Sequence, residues 1–517
     1  MNTVQIDGVT LSIQDVISVA REDAKIFIPK PVENKIRRSH EVLEKLLHND
    51  KAIYGVNTGF GALSKIRIAK KDIGKLQENL IRSHSCGVGK PLKRDTVRAL
   101  MLLRLNTLAK GYSGIRFETL QTLQELLNKK VHPVIPEKGS VGASGDLAPL
   151  SHMSLVLMGE GEAEYQDNIS AGGMALEKAG IKPVHLDLKE GIALNNGTQL
   201  MTAIATLATY DSENLIRIAE IATAITLEAL LGISDAFDER IQKIRPHKGQ
   251  EVVASKIRRL VKGSLLVRTG EEAMKSMNRP HDPYSLRCSP QVLGAAIDSV
   301  EYVRRIVETE INSTTDNPLV FPDEMICLSA GNFHGQPVSI AMDLLGIAMT
   351  MVGNISERRI ARLLDEKLNN GLPAFLIHPK VSKGLNSGLM TVQYTAAALA
   401  SENKVLSHPA CVDSIPTSAN FEDFVSMGTT AAQKATQILQ NVEFIIAIEL
   451  LCSTQAIEYR NPEKLGEGTK AAYSTIRKIV PIITGDRPLS GDIETIRAAI
   501  RSGELLKDIE NRFKLND

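Results

Sequence analysis

Residues 139–146 read GSVGASGD, a composition that permits an uncommon reaction of the backbone with itself. For a chain to cyclise on itself, the amide nitrogen of one residue must reach the carbonyl carbon two residues earlier. Gly145 has no Cβ, so its nitrogen can approach Ala143 without a clash. Gly142 allows the strained turn that this closure needs. Ser144 can then lose water and leave an exocyclic methylidene, an electron sink that no ordinary side chain provides. A tight turn capping a helix that starts at Leu147 would use the same residues, so the spacing permits the reaction without requiring it.

Three further Gly-rich polar stretches accompany this one: residues 54–62 (YGVNTGFGA), 85–89 (SCGVG) and 195–199 (NNGTQ). Glycine clusters are ordinarily turns, but loops held between rigid helices are also where catalytic groups concentrate. The elements around them read as helices. Residues 94–110 (RDTVRALMLLRLNTLAK) carry apolar side chains at 3–4 spacing and stop at Gly111, and residues 117–129 follow in the same pattern. Residues 198–232 run without a proline, and 290–312, 337–364, 390–407 and 423–456 look like further long helices. Such lengths predict a bundle, one that copies of the chain could share. Residues 4–11 are rich enough in β-branched side chains to form a strand. Tryptophan is absent and aromatics are only 4%, which favours cores of Ala, Leu and Ile packed helix on helix. The fold class expected is mostly α: a loop-rich N-terminal part over residues 1–200, then a long antiparallel bundle over 201–517.

Composition narrows the functions. With 61 basic against 60 acidic side chains, nothing resembles a phosphate-tracking surface, and nucleic acid is not an expected partner. The most apolar stretches are interrupted by charges, so no membrane span is expected. The opening MNTVQIDGVTLSIQDV lacks the basic-then-apolar order of a secretion signal. Five scattered cysteines and eleven histidines show no disulfide or metal-ligand spacing, which points to a cytoplasmic protein without a metal.

The segment GSVGASGDLAPLSHMSLVLMGEG resembles the signature of the aromatic amino acid ammonia-lyase family. YGVNTGFG, NLIRSHSCGVG, ALNNGTQ, DPYSLRCSPQ, TTDNPL, GNFHGQP and ALASENKVLSHPACVDSIPTSAN support it in the family's order, from residue 7 essentially to the end. The resemblance implies that Ala143, Ser144 and Gly145 become 4-methylidene-imidazol-5-one, with Asp146 assisting the cyclisation. It assigns Tyr54 as the base that removes the substrate's β-proton. A phenol of pKa ~10 needs positive surroundings to do so at neutral pH. Arg287 matches the fork that clamps the substrate carboxylate. Tyr284 and Asn196 match groups beside the electrophile, and Phe333 an aromatic next to it. His84, after Ser83, matches members that act on histidine, and Glu402 is assigned to face the imidazole. The implied reaction takes L-histidine to trans-urocanate and ammonia in a homotetramer.

Three residues depart from the pattern of those members: His281, Phe421 and Phe424 stand where Gln, Gln and His are usual. They leave open a related lyase or aminomutase acting on another aromatic or a modified histidine. Outside enzymology, an inactive helical scaffold remains as the alternative.

Overall fold

The computed structural model describes residues 3–48, 52–382 and 384–514. Helices dominate, and most follow the sequence reading closely. Those expected over 94–110 and 117–129 span Arg94–Ala109 and Phe117–Asn128, and the long ones span Gln199–Ala229, Ser289–Glu310, Gln336–Leu364, Met390–Leu406 and Gly428–Ile457. The last starts five residues later than expected, because residues 423–427 enter in extended and bent backbone and Met427 sits at φ +52°. The strand expected over 4–11 shortens to Thr3–Gln5, which pairs in parallel with Lys25–Phe27. Further on, Ser12 caps the helix Ile13–Arg21, its side chain and that of Asp15 forming a reciprocal capping box. The remaining strands are short antiparallel pieces, such as Glu162–Tyr165 against Asn168–Ala171.

The chain divides into two compact units, though not at one boundary near residue 200. The first combines Met1–Leu207 with Arg304–Asp343 and Pro409–Gln433; the second takes Ala208–Val303, Leu344–His408 and Lys434–Asp517. Composition could not show this, because four of the five divisions fall inside long helices whose apolar spacing continues through them.

In the first unit, every residue of the helix Arg94–Ala109 from Val97 onward is buried. Such all-round burial marks a central helix, so its polar residues, including Arg98 and Arg104, must find partners inside the fold. In the second unit, Arg359 and Glu449 are fully buried and paired through Nε and Nη2 at 2.6 and 2.8 Å. Ser356 and Thr226 donate to the same carboxylate at 2.6 and 2.8 Å. Helices Gln336–Leu364 and Gly428–Ile457 are long and apolar enough to cross a membrane, but 72% and 78% of their most apolar windows are buried within the protein.

Candidate active site

Residues 139–146 connect the strand Pro136–Lys138 to the helix Leu147–Leu157. Gly142 and Gly145 adopt φ +71° and +73°, a region open to glycine at little cost. Neither could carry a side chain. A Cβ on Gly142 would overlap Ser426 Oγ, and one on Gly145 would overlap the carbonyl of Gly197. That carbonyl accepts from Asp146 N at 2.7 Å, which ties the loop to the stretch at 195–199. The Asp146 carboxylate is fully buried and accepts from Ser140 Oγ at 2.8 Å, Met201 N at 2.9 Å and Thr429 Oγ1. Burial nevertheless raises its pKa above the usual carboxylate value. The two groups of Ser144 are also held: Asn196 Nδ2 donates to its carbonyl at 3.0 Å, and its Oγ donates to Glu422 Oε1 at 2.9 Å.

A cavity of about 970 Å³ opens on this loop, ample for an amino acid. Tyr54, His84, Ala143, Ser144, Asn196, Phe333, Phe421 and Phe424 all line it, so the structure brings together most of the residues that the sequence singles out, and Glu422 lines it with them. Tyr54 meets Phe60 edge to face at 6.5 Å, and its phenol oxygen accepts from Gly61 N at 3.0 Å. The expectation of a lowered phenol pKa is not met within the chain. Burial raises it, the Glu422 charge raises it further, and only the Gly61 N–H works the other way. His84 Nδ1 lies 3.0 Å from Ser83 Oγ, and burial holds its pKa below the usual imidazole value, so the ring is neutral at pH 7. Phe421 and Phe424 line the cavity with 57% and 61% of their surfaces exposed. Phe424 stacks on His334, ring centres 5.9 Å apart.

Four assigned residues are not brought here. Tyr284, Arg287, His281 and Glu402 belong to the second unit and do not line this cavity. Tyr284 is 71% exposed, with the Arg287 guanidinium 4.7 Å from its ring centre. Arg287 Nε is buried without a hydrogen-bond partner. Glu402 is occupied otherwise, its Oε2 accepting from Asn441 Nδ2 at 2.7 Å. The carboxylate beside His84 is Glu422, which the sequence reading passed over. Its signal was its place in NFEDFVSMG, between the two aromatic departures at 421 and 424. The cavity offers a serine held at both oxygens, a phenol, an imidazole that burial holds toward its neutral form, and a carboxylate whose charge acts on both rings.

Known proteins resemble this chain along its whole length. The sequence model of the aromatic amino acid lyase family matches residues 11–478. Histidine ammonia-lyase of Alkaliphilus oremlandii is 52% identical over 515 residues, covering 100% of both chains. Among solved structures, tyrosine aminomutase from Streptomyces globisporus superposes with a TM-score of 0.95 at 37% identity, covering 99% of each chain. Histidine ammonia-lyase from Trypanosoma cruzi gives 0.90 at 40% identity, covering 99% of this chain and 96% of that one. On its full-length match, this chain belongs to the aromatic amino acid lyase family.

Proposed function

We propose that the protein eliminates ammonia from L-histidine to give trans-urocanate, using an electrophile made from its own Ala143, Ser144 and Gly145. One observation carries this reading: Ser144 donates to Glu422 inside a cavity that also holds Tyr54 and His84. Relatives named histidine ammonia-lyase at about half identity support the choice of substrate.

The loop fits 4-methylidene-imidazol-5-one. Gly145 leaves its nitrogen unscreened, and Asn196 already donates to the Ser144 carbonyl, the oxygen that remains on the closed ring. Formed there, the group supplies an electron-poor carbon that draws electrons from the substrate. The chain's other residues orient the amino acid and move its protons. Tyr54 takes the β-proton at its phenol oxygen, the only phenol lining the cavity among the described residues. His84 and Glu422 offer the imidazole an acceptor on each side, which a phenyl ring could not use. Arg287, with its unpartnered Nε, grips the carboxylate through a planar fork and brings the positive charge that Tyr54 lacks within its own chain. We assign Arg287 and Tyr284 to the site of a neighbouring copy in a homotetramer, which also gives the exposed Tyr284 ring a role. The five cysteines, none in a disulfide among the described residues, suit the reducing cytoplasm.

The test is an absorbance assay for conjugated acrylate products from L-histidine, L-phenylalanine and L-tyrosine. Urocanate should form fastest. Faster turnover of either other amino acid would overturn the substrate and leave the family intact. The exposed faces of Phe421 and Phe424 favour one second reading, a histidine methylated on its amine, since aromatic faces attract methylated cations. The same assay with Nα-methylated histidine distinguishes the two.

A further inference from the structure

Arg104 lies on the central helix Arg94–Ala109 and is fully buried. A guanidinium in such a place normally faces a carboxylate, yet among the described residues none lies within ion-pair distance of it. It spends its donors on one short piece of chain. Nη2 donates to the carbonyls of Ala193 and, at 2.8 Å, Asn196, while Nη1 donates to Gln199 Oε1 at 2.6 Å. Gln199 is aimed by its own amide, which donates to Thr107 and Thr315 at 2.9 and 2.7 Å. The carbonyls that Arg104 binds terminate the short helix Glu190–Asn195, where backbone oxygens lack helical partners and attract a cation. The guanidinium also packs so closely under Gly197 that a Cβ there would meet Nη1.

The stretch so anchored is the one that grips the electrophile loop from both ends. Asn196 Nδ2 holds the Ser144 carbonyl, and the Gly197 carbonyl holds Asp146 N. Asn196 Oδ1 is buried with no partner, so its own side chain offers little to fix its direction. The backbone must fix it instead.

We infer that Arg104 is a positioning residue for the electrophile: by clamping the carbonyls of residues 193 and 196 it aims Asn196 and Gly197 at residues 144–146. This rests on the proposed function. Without Arg104 the loop keeps its sequence but loses the frame that presents Gly145 N to Ala143 and a donor to the Ser144 carbonyl. Burial lowers the arginine's pKa to about 10, so it remains charged at neutral pH, whereas a lysine there would be far more easily neutralised.

The experiment compares wild type with Arg104→Lys and Arg104→Gln. Intact mass reads the fraction of chains that have lost two waters, and steady-state kinetics on L-histidine are taken across pH. Both variants should contain chains that retain Ser144 unmodified. Their kcat should fall by roughly tenfold or more with KM within about threefold, because aim is lost and substrate binding is not. Arg104→Lys should also lose activity on the alkaline side, where its amine gives up the proton; Arg104→Gln should show no such limb. If either variant fails to fold, Gln199→Met removes one acceptor without burying a new charge and should show a smaller fall in kcat. Complete dehydration, wild-type kcat and an unchanged pH profile in the folded variants would overturn the inference. A wild type that has lost no water would instead overturn the proposed function beneath it.

Discussion

The second unit buries Arg359 against Glu449, and both oxygens of that carboxylate receive two donors each. The first unit buries a polar cluster under Ser144 that is left incomplete, with Asn195 Oδ1, Asn196 Oδ1 and Arg104 Nε lacking partners. The backbone differs as well. Around Ser144 it turns through left-handed glycines at 142 and 145, whereas Arg359 and Glu449 lie on uninterrupted helices. A saturated network has nothing left to offer a ligand and serves rigidity. Unmade hydrogen bonds are costly to keep, and they are kept where a reaction uses them. Substitutions in the two regions should therefore separate chemistry from stability.

The largest expected effect is Ser144→Ala, which should abolish turnover of L-histidine while leaving stability within about 0.5 kcal/mol of wild type. Wild-type peptides spanning Ala143–Gly145 should weigh two waters less than the sequence. Unmodified serine in an active preparation would break the comparison at its root. Next, Tyr54→Phe should lower kcat by roughly 10²–10⁴ with little change in binding, since it removes a proton acceptor and keeps the ring. Near-normal kcat would place the base elsewhere.

On the other side of the comparison, Glu449→Leu leaves Arg359 buried and unpaired. It should cost about 3–5 kcal/mol in chemical denaturation, with kcat of the folded fraction unchanged. A matching loss of kcat would mean that the two regions are coupled. Glu422→Gln should be milder, shrinking the preference for L-histidine over L-phenylalanine by about tenfold, because one imidazole partner is weakened. Glu402→Gln, whose carboxylate is bound to Asn441, should leave that preference unchanged.

The smallest effect sharpens the comparison within the second unit. Glu228 is buried there with Oε2 unpartnered, and desolvation pushes its pKa up from 4.5 to about 7. The unfolded chain gives up this proton first, so stability falls as pH rises between 4.5 and about 7 and stays low above it. Glu228→Gln should raise Tm at pH 8 and change it little at pH 4. Equal shifts at both would show that the carboxyl does not titrate in this window.

How far the sequence could be read depended on range. The loop at 139–146 was legible because its chemistry is local, lying in consecutive residues whose glycines have to turn. The helix at 199–229 was legible because Ala, Leu and Ile recur along it without proline. Glu422 escaped the sequence reading, since nothing local marks it and only folding brings its charge to bear on His84. The direction of the Tyr54 pKa escaped for the same reason: burial raises it, and the charge that acts on it is an anion from residue 422. Arg104 read as one more helix-forming residue, because nothing nearby in sequence reveals that 193 and 196 fold over it.

The first unit closes only when a late piece of chain returns to it. Ser426 blocks any side chain at Gly142, Glu422 holds Ser144, and Thr429 binds Asp146 across 283 residues. A ribosome adding about 5–20 residues each second needs roughly 14–57 s to pass from one to the other. During that interval the nascent Ala143-Ser144-Gly145 lacks the contacts made by Glu422, Ser426 and Thr429 around it. The clamp arrives only after residue 429 has been made, so the proposed electrophile would form late, in a chain already largely synthesised.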